Sequence, residues 1–217
     1  MKSKLFSDKI RKNIETTVVD LLNNNQLMNY NTVNSPRAVG DAVQNFLESN
    51  ISKCLPKDIV KKINTSFARR SMADLAFEDT CNNYYVVDIK THNLNTNFNM
   101  PNLTSVERLA RFYGDSKNYF VLLLVSYKIQ EEQLNFENCL FVPVENLDWS
   151  CLTLGALGWG QIANSNIINI ESTNTRKKWM LQLCDALDLF YPNEIAKITR
   201  RIDYFRNIRE FWENQPD

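Results

Sequence analysis

The chain has 217 residues, 44% of them hydrophobic, and its 25 basic and 25 acidic side chains give a formal net charge of zero. That length supports a full hydrophobic core, expected as one domain over residues 1–217 because no repeat, low-complexity tract or linker-like stretch interrupts it. The balanced charge excludes a polybasic or polyacidic chain, so any contact with nucleic acid must come from how charge is distributed.

Five cysteines (Cys54, Cys81, Cys139, Cys151 and Cys184) are scattered without a CxxC pair. They read as reduced thiols, not as a disulfide framework or a zinc site. The single histidine, His92, argues against a histidine metal cage or a Ser-His-Asp triad. The start, Met-Lys-Ser-Lys-Leu-Phe, lacks the apolar core of a secretory signal, and the longest apolar run, 119–127, is too short to span a bilayer. A soluble, cytoplasmic protein with no membrane contact is expected.

In chain order, Leu5, Ile10, Ile14, Val18, Leu21 and Leu22 recur at helical spacing and predict a first helix over 4–24, ended by Asn23-Asn24-Asn25. Ser35-Pro36 supplies an N-cap and a first-turn proline for a second helix over 36–50, with Val39, Val43, Phe46 and Leu47 as its apolar stripe. A short helix with a basic face (Lys57, Lys61, Lys62) is expected over 54–67. Arg69 and Arg70 follow it and are placed to meet a DNA backbone.

Residues 71–93 carry the chemistry. Two apolar, β-rich runs flank Thr-Cys-Asn-Asn, which is turn chemistry, and together they predict a hairpin. Folding it about Cys81 sets Asp74 opposite Asp88, and Lys90, two residues on, points to the same face as Asp88. Two carboxylates at that distance repel, and a divalent cation removes the cost. Mg²⁺ is commonly held by one or two carboxylates while keeping waters and taking phosphate oxygens. A lysine beside it can orient a water and offset charge on a phosphate. Those are the needs of phosphodiester hydrolysis.

Thr91–Asn102 predicts a long polar loop leaving this strand, with Asn93 among its amides as a candidate DNA contact. A helix is expected over 104–112, then strands over 119–127 and 139–144 separated by a turn at Glu131–Gln133. Trp149–Trp159 is Gly-rich and is expected to be a flexible stretch, not a dinucleotide fingerprint. The amide cluster after it makes Gln161 and Asn164 further candidates for base readout. Two terminal helices are expected, over 176–188 and 193–212. The last interleaves Ile195, Ile198, Ile202, Phe205, Ile208 and Trp212 with Lys197, Arg200, Arg201, Arg206 and Arg209. Its apolar face suits the protein body or a second subunit, and its basic face suits phosphates.

Ala73-Asp74, the spacer, and Asp88-Ile89-Lys90 resemble the PD-(D/E)xK nuclease motif, with Ala73 in place of the usual proline. Asp88-Ile-Lys-Thr-His-Asn, then Pro101-Asn102, Ser105 and Leu109-Ala110, is similar to the corresponding run of type II restriction endonucleases of the HincII and EcoRV kind. The resemblance is firm over 71–110 and diffuse elsewhere. It implies an α/β fold with a restriction-endonuclease-like core, a mixed sheet of about five strands flanked by helices. It implies Mg²⁺-dependent cutting of double-stranded DNA at a short palindromic site, leaving 5′-phosphates, by a homodimer with a cognate DNA methyltransferase in the same system. Asp74 and Asp88 would hold the metal and Lys90 would activate the water. In such nucleases the helix before the hairpin brings an acidic residue towards a second metal site, for which Asp41 and Glu48 are the candidates. Thr91 would sit by the scissile phosphate, and Asn99 and Asn102 where bases are approached. A repair, nicking or junction-cleaving nuclease of the same fold, or a non-catalytic DNA-binding module, are the alternatives.

Overall fold

The structure is a computed structural model that describes residues 3–25, 27, 34–64, 73–96, 102–131, 133–164 and 168–216. It divides into two compact units, Met1–Thr173 and Asn174–Asp217.

The first unit is α/β. Its helices α1 (Asp8–Asn23) and α2 (Pro36–Asn50) precede strands β1 (Val60–Asn64), β2 (Leu75–Asp79) and β3 (Tyr84–Asn93). After β4 (Asn102–Ser105) and α3 (Val106–Phe112) come β5 (Asn118–Gln130), β6 (Gln133–Pro143), β7 (Leu152–Gly155) and β8 (Gln161–Asn164). A mixed five-stranded sheet runs β1-β2-β3-β5-β6, with only the β3–β5 pair parallel. A second sheet of three antiparallel strands runs β4-β8-β7.

Strand β5 is apolar at almost every position, and from Tyr119 to Val125 all side chains are buried. That is the pattern of a central strand covered on both faces, with a parallel neighbour on one side. The odd-numbered side chains of β3 and β5 (Tyr85, Val87, Ile89, Val121, Leu123) join one core cluster with Ile14 and Val18 of α1 and Val39, Val43 and Leu47 of α2. The even-numbered side chains Val86, Asp88, Phe120 and Leu122 are buried as well and belong to the opposite face. The outer strand β6 is shielded by α1. Asn23 exchanges hydrogen bonds with the Phe136 backbone at 2.8 and 2.9 Å, and Glu15 accepts from the Phe141 amide at 2.9 Å. Side chains thereby occupy amide and carbonyl groups that an edge strand would offer to another chain.

Several expected elements differ. The first helix is split by Ser7 into a short 3₁₀ turn, Lys4–Phe6, and α1. Of the helix expected over 54–67, the described part, 54–64, holds β1 instead, whose β-branched Val60 and Ile63 pair along the free edge of β2, and 65–67 lie outside the described residues. The loop expected from Thr91 begins later, because β3 continues through Thr91 and His92 to Asn93, held by parallel pairing with β5 as far as Tyr127. Thr104 lies in β4, and α3 starts at Val106 behind an extended Ser105. The Gly-rich 149–159 stretch is ordered as a 3₁₀ turn and the β7–β8 hairpin, with Gly158 and Gly160 supplying positive φ in the connection. The second unit holds one helix, α4 (Arg176–Glu213), which runs through Pro192 instead of stopping there. Among the described residues no helix is long and apolar enough to cross a membrane.

Candidate functional site

The hairpin β2–β3 pairs Leu75 with Val87, Ala76 with Val86, Phe77 with Tyr85 and Glu78 with Tyr84. This is the register centred on Cys81 that the sequence predicts. Continued by one residue, it sets Asp74 opposite Asp88, and the Asp74 amide still donates to the Val87 carbonyl at 3.0 Å.

The turn that fixes this register is built on Asp79, which is 3% exposed. Its carboxylate accepts from the amides of Cys81 (2.8 Å) and Asn83 (2.9 Å) and from the Asn83 side chain (2.8 Å). The Tyr85 hydroxyl lies 2.7 Å away as a further donor. Asn82 takes the left-handed conformation, φ 59°, which asparagine tolerates well. Burial alone would raise the Asp79 pKa, but these hydrogen bonds outweigh it and hold the carboxyl below its ordinary range. Tyr85 in turn stacks between Phe77 (4.6 Å between centroids) and Tyr119 (5.1 Å), so the turn is tied to an aromatic ladder across three strands.

At the other end of the hairpin, Asp88 is 5% exposed. Lys90 Nζ donates to Asp88 Oδ1 at 2.7 Å, and the lysine itself is half-buried. Asp88 Oδ2 is buried with no hydrogen-bond partner. Asp74 Oδ2 accepts from the Ile89 amide at 2.6 Å. Burial pushes the Asp88 carboxyl up to about 7. Lys90 opposes this by its charge and its hydrogen bond, and Asp74 adds to the rise. Asp74 is also pushed up, first by burial; the Ile89 amide and Lys90 oppose the shift and Glu48 adds to it. Deprotonated, the two carboxylates hold more negative charge than one lysine offsets, at a place screened from water.

Helix α2 lies over β3. Gly40 brings the helix close, since a Cβ there would stand 3.4 Å from Thr91 Oγ1. Of the two acidic candidates on α2, Glu48 is the one whose charge acts on Asp74, and it accepts from Gln44 Nε2 at 2.9 Å. Asp41 is exposed. The sequence pattern favours Asp41, which follows Gly40 near the helix start. Gly40 lies against Thr91, and Glu48, eight residues further along the helix, is the acid whose charge reaches Asp74.

The remaining candidates scatter. Thr91 and Asn93 stand on β3, half-buried, and Asn93 Oδ1 accepts from the Asn95 amide at 2.9 Å, a local turn bond. Asn102 and Gln161 stand on neighbouring strands of the second sheet but at opposite ends of the β4–β8 pairing, Asn102 (exposed) across from Ala163 and Gln161 (half-buried) across from Ser105. Asn164, on β8, is fully buried with both side-chain polar atoms unpartnered, so it offers nothing to a surface ligand. Asn99, Arg69 and Arg70 lie outside the described residues. Asp79 is not singled out by its sequence position; the signal for it is an aspartate opening an Asn-Asn turn.

Among the described residues no group of three or more His, Cys, Asp or Glu side chains is gathered as a metal cage. The donor set here is a carboxylate pair with one orphaned oxygen, and that set fits a hard cation such as Mg²⁺, which asks for one or two carboxylates and fills its other positions with water and phosphate. No protein-family model matches the chain, and no curated protein matches its sequence.

Proposed function

We propose that the chain is a Mg²⁺-dependent DNA endonuclease with a restriction-endonuclease-like core, most similar to type II restriction enzymes. The observation that carries this reading is the buried, unpartnered Oδ2 of Asp88, opposite Asp74 and beside Lys90, on a hairpin whose residues resemble the PD-(D/E)xK motif. An orphaned carboxylate oxygen in a buried site costs stability unless something binds it.

Asp74 and Asp88 hold Mg²⁺, which supplies Lewis-acid polarisation of a phosphodiester. Lys90 leaves Asp88 to meet the attacking water and the phosphate oxygens, orienting the first and offsetting the charge of the second. The water oxygen bonds to phosphorus, the bond to the 3′-oxygen breaks, and the leaving oxygen takes a proton, giving a 5′-phosphate and a 3′-hydroxyl. Glu48 enlarges the acidic set from α2. Double-stranded DNA is bound by a homodimer whose two-fold axis matches a palindromic site. The enzyme works in the cytoplasm beside a cognate DNA methyltransferase, as part of a restriction system.

The test is incubation of the purified protein with unmethylated plasmid DNA, with Mg²⁺ or with EDTA. Discrete fragments with Mg²⁺ alone are expected, and Lys90→Ala is expected to bind DNA and not cut it. Cutting by Lys90→Ala at the wild-type rate refutes the assigned role. Cleavage confined to branched DNA points to a junction nuclease, and binding without cleavage to a non-catalytic module.

A further inference from the structure

Helix α4 exposes a seam. Ile195 (64% exposed), Ile198 (49%), Ile202 (48%), Phe205 (66%) and Trp212 (67%) are spaced three or four residues apart, with Arg209 at the one remaining seam position. That is the a/d spacing of a helix that packs against another helix, with period 3.5. Uncovered apolar surface of this extent is unusual on a soluble monomer. We propose that α4 pairs antiparallel with α4 of a second copy of this chain. The proposal rests on the seam alone and not on the nuclease reading.

Three observations select that occupant. The first is area. Ile195, Phe205 and Trp212 are about two-thirds exposed, and Ile198 and Ile202 about half. With aromatic side chains contributing about 150–250 Å² each when fully buried, covering the seam on two helices removes on the order of 1,000 Å² from water, the lower end of what a biological interface needs.

The second is charge. Of the five basic residues between Lys197 and Arg209, three are already paired along the helix, at 2.6 Å (Lys197–Glu194), 3.0 Å (Arg206–Asp203) and 2.8 Å (Arg209–Glu213). A face neutralised in this way suits a helix partner better than a phosphate backbone or an anionic membrane. The third is register. Parallel pairing would set Arg209 against Arg209 in the seam and Arg201 against Arg206 at both flanks. Antiparallel pairing centred on Arg200 instead layers Ile195 on Phe205 and Ile198 on Ile202, and lays Arg209 over the Tyr191 ring. It leaves one Arg201–Arg201 approach, at the solvated rim.

The experiment is sedimentation of the full chain over a range of concentrations, without DNA or Mg²⁺, so its outcome is separate from any cleavage result. Wild type is expected at twice 25.3 kDa. Ile198→Lys with Ile202→Lys is expected to raise the dimer dissociation constant about 100-fold or more, because it buries unpaired like charges. Phe205→Gln serves the same purpose if the double variant does not fold. Thr199→Cys, with the exposed Cys81 and Cys184 changed to serine, is expected to form a disulfide between the two copies under mild oxidation, since Thr199 faces its own copy only in the antiparallel register. A wild-type monomer at every concentration, or a dimer that the seam variants leave unchanged, overturns the proposal. A seam-dependent dimer that does not cross-link at position 199 overturns the antiparallel register.

Discussion

Asp88→Asn gives the sharpest test of the electrostatics, because it turns a proposed metal ligand into a stability measurement. The Asp88 carboxyl titrates at about 7 in the folded protein against an ordinary value near 3.8. A carboxyl raised on folding means that the native state holds its proton longer than the unfolded chain does. Stability therefore falls as pH rises from about 4 to about 7. At about 1.4 kcal/mol per unit the loss is roughly 4 kcal/mol by pH 8. Asparagine cannot ionise, so the variant escapes this loss. It instead leaves a buried amide unsatisfied where Oδ2 now lies, at a pH-independent cost of about 1–3 kcal/mol. The larger number decides the sign at high pH: the variant is the less stable protein at pH 4–5 and the more stable one at pH 8. Urea unfolding followed by tryptophan fluorescence over that range reads the difference. A gap between the two proteins that stays constant from pH 5 to pH 8 refutes the reasoning, because Asp88 would then ionise without penalty. Mg²⁺ added at pH 8 should raise the wild-type midpoint, by roughly 3 kcal/mol at 100 times its dissociation constant, and leave the variant where it is.

Glu48→Gln removes the charge that acts on Asp74 and should raise the Mg²⁺ concentration needed for half-maximal cleavage, while Asp41→Asn should leave it unchanged; a Mg²⁺ titration of cleavage rate separates them. Asp79→Asn exchanges a charged acceptor of several hydrogen bonds for a neutral one and should cost about 2–4 kcal/mol at pH 7, measured by denaturant unfolding. Because the Asp79 carboxyl is held below its ordinary value when folded, its contribution is present above about pH 4 and fades as pH falls through the lowered value, so the penalty should shrink in acid. Pro192→Ala restores a backbone donor inside α4 and should stabilise that helix by up to about 3 kcal/mol, seen as a higher-melting far-ultraviolet helical signal.

Where one local signal governs an element, the sequence is a sufficient guide. Helix α2 begins and ends where Ser35-Pro36 and the Val39–Val43–Leu47 stripe predict, and Ser35 caps it by accepting from the Ala38 amide at 3.3 Å. The hairpin register follows from the turn alone. Where a neighbour decides, the same reading fails. Lys61 and Lys62 look like one face of a helix, but Val60–Asn64 is drawn into the sheet by the open edge of β2. Thr91, His92 and Asn93 look like loop, but β5 supplies carbonyls and amides that extend the strand. Gly158 and Gly160 look like slack, but they turn the chain so that β7 can pair with β8. Pro192 is a strong stop signal that α4 overrides, with Asn193 Nδ2 donating to the Leu189 carbonyl beside the missing amide.

The site was legible for the same reason the hairpin was, and this locates its weak point. Side chains alternate along a strand, so a slip of one residue in the β2–β3 register would carry Asp88 and Lys90 to the helix-covered face and part them from Asp74. At the Asp74 end the restraint is the core burial of Leu75, Val87 and Ile89, not Asp74 itself, whose amide donates to Val87 and whose carboxylate accepts from the Ile89 amide. A second restraint lies at the far end, where Asp79 accepts from Cys81, Asn83 and Tyr85 and where Tyr85 is wedged between Phe77 and Tyr119. The opposed carboxylates repel each other and are costly to bury, so they work against the register that brings them together. The hydrogen bonds of the turn and the stacking of the aromatic ladder supply the opposing stability. If the proposed cation binds here, carboxylates already held in place by rigid structure elsewhere would leave little reorganisation to be done.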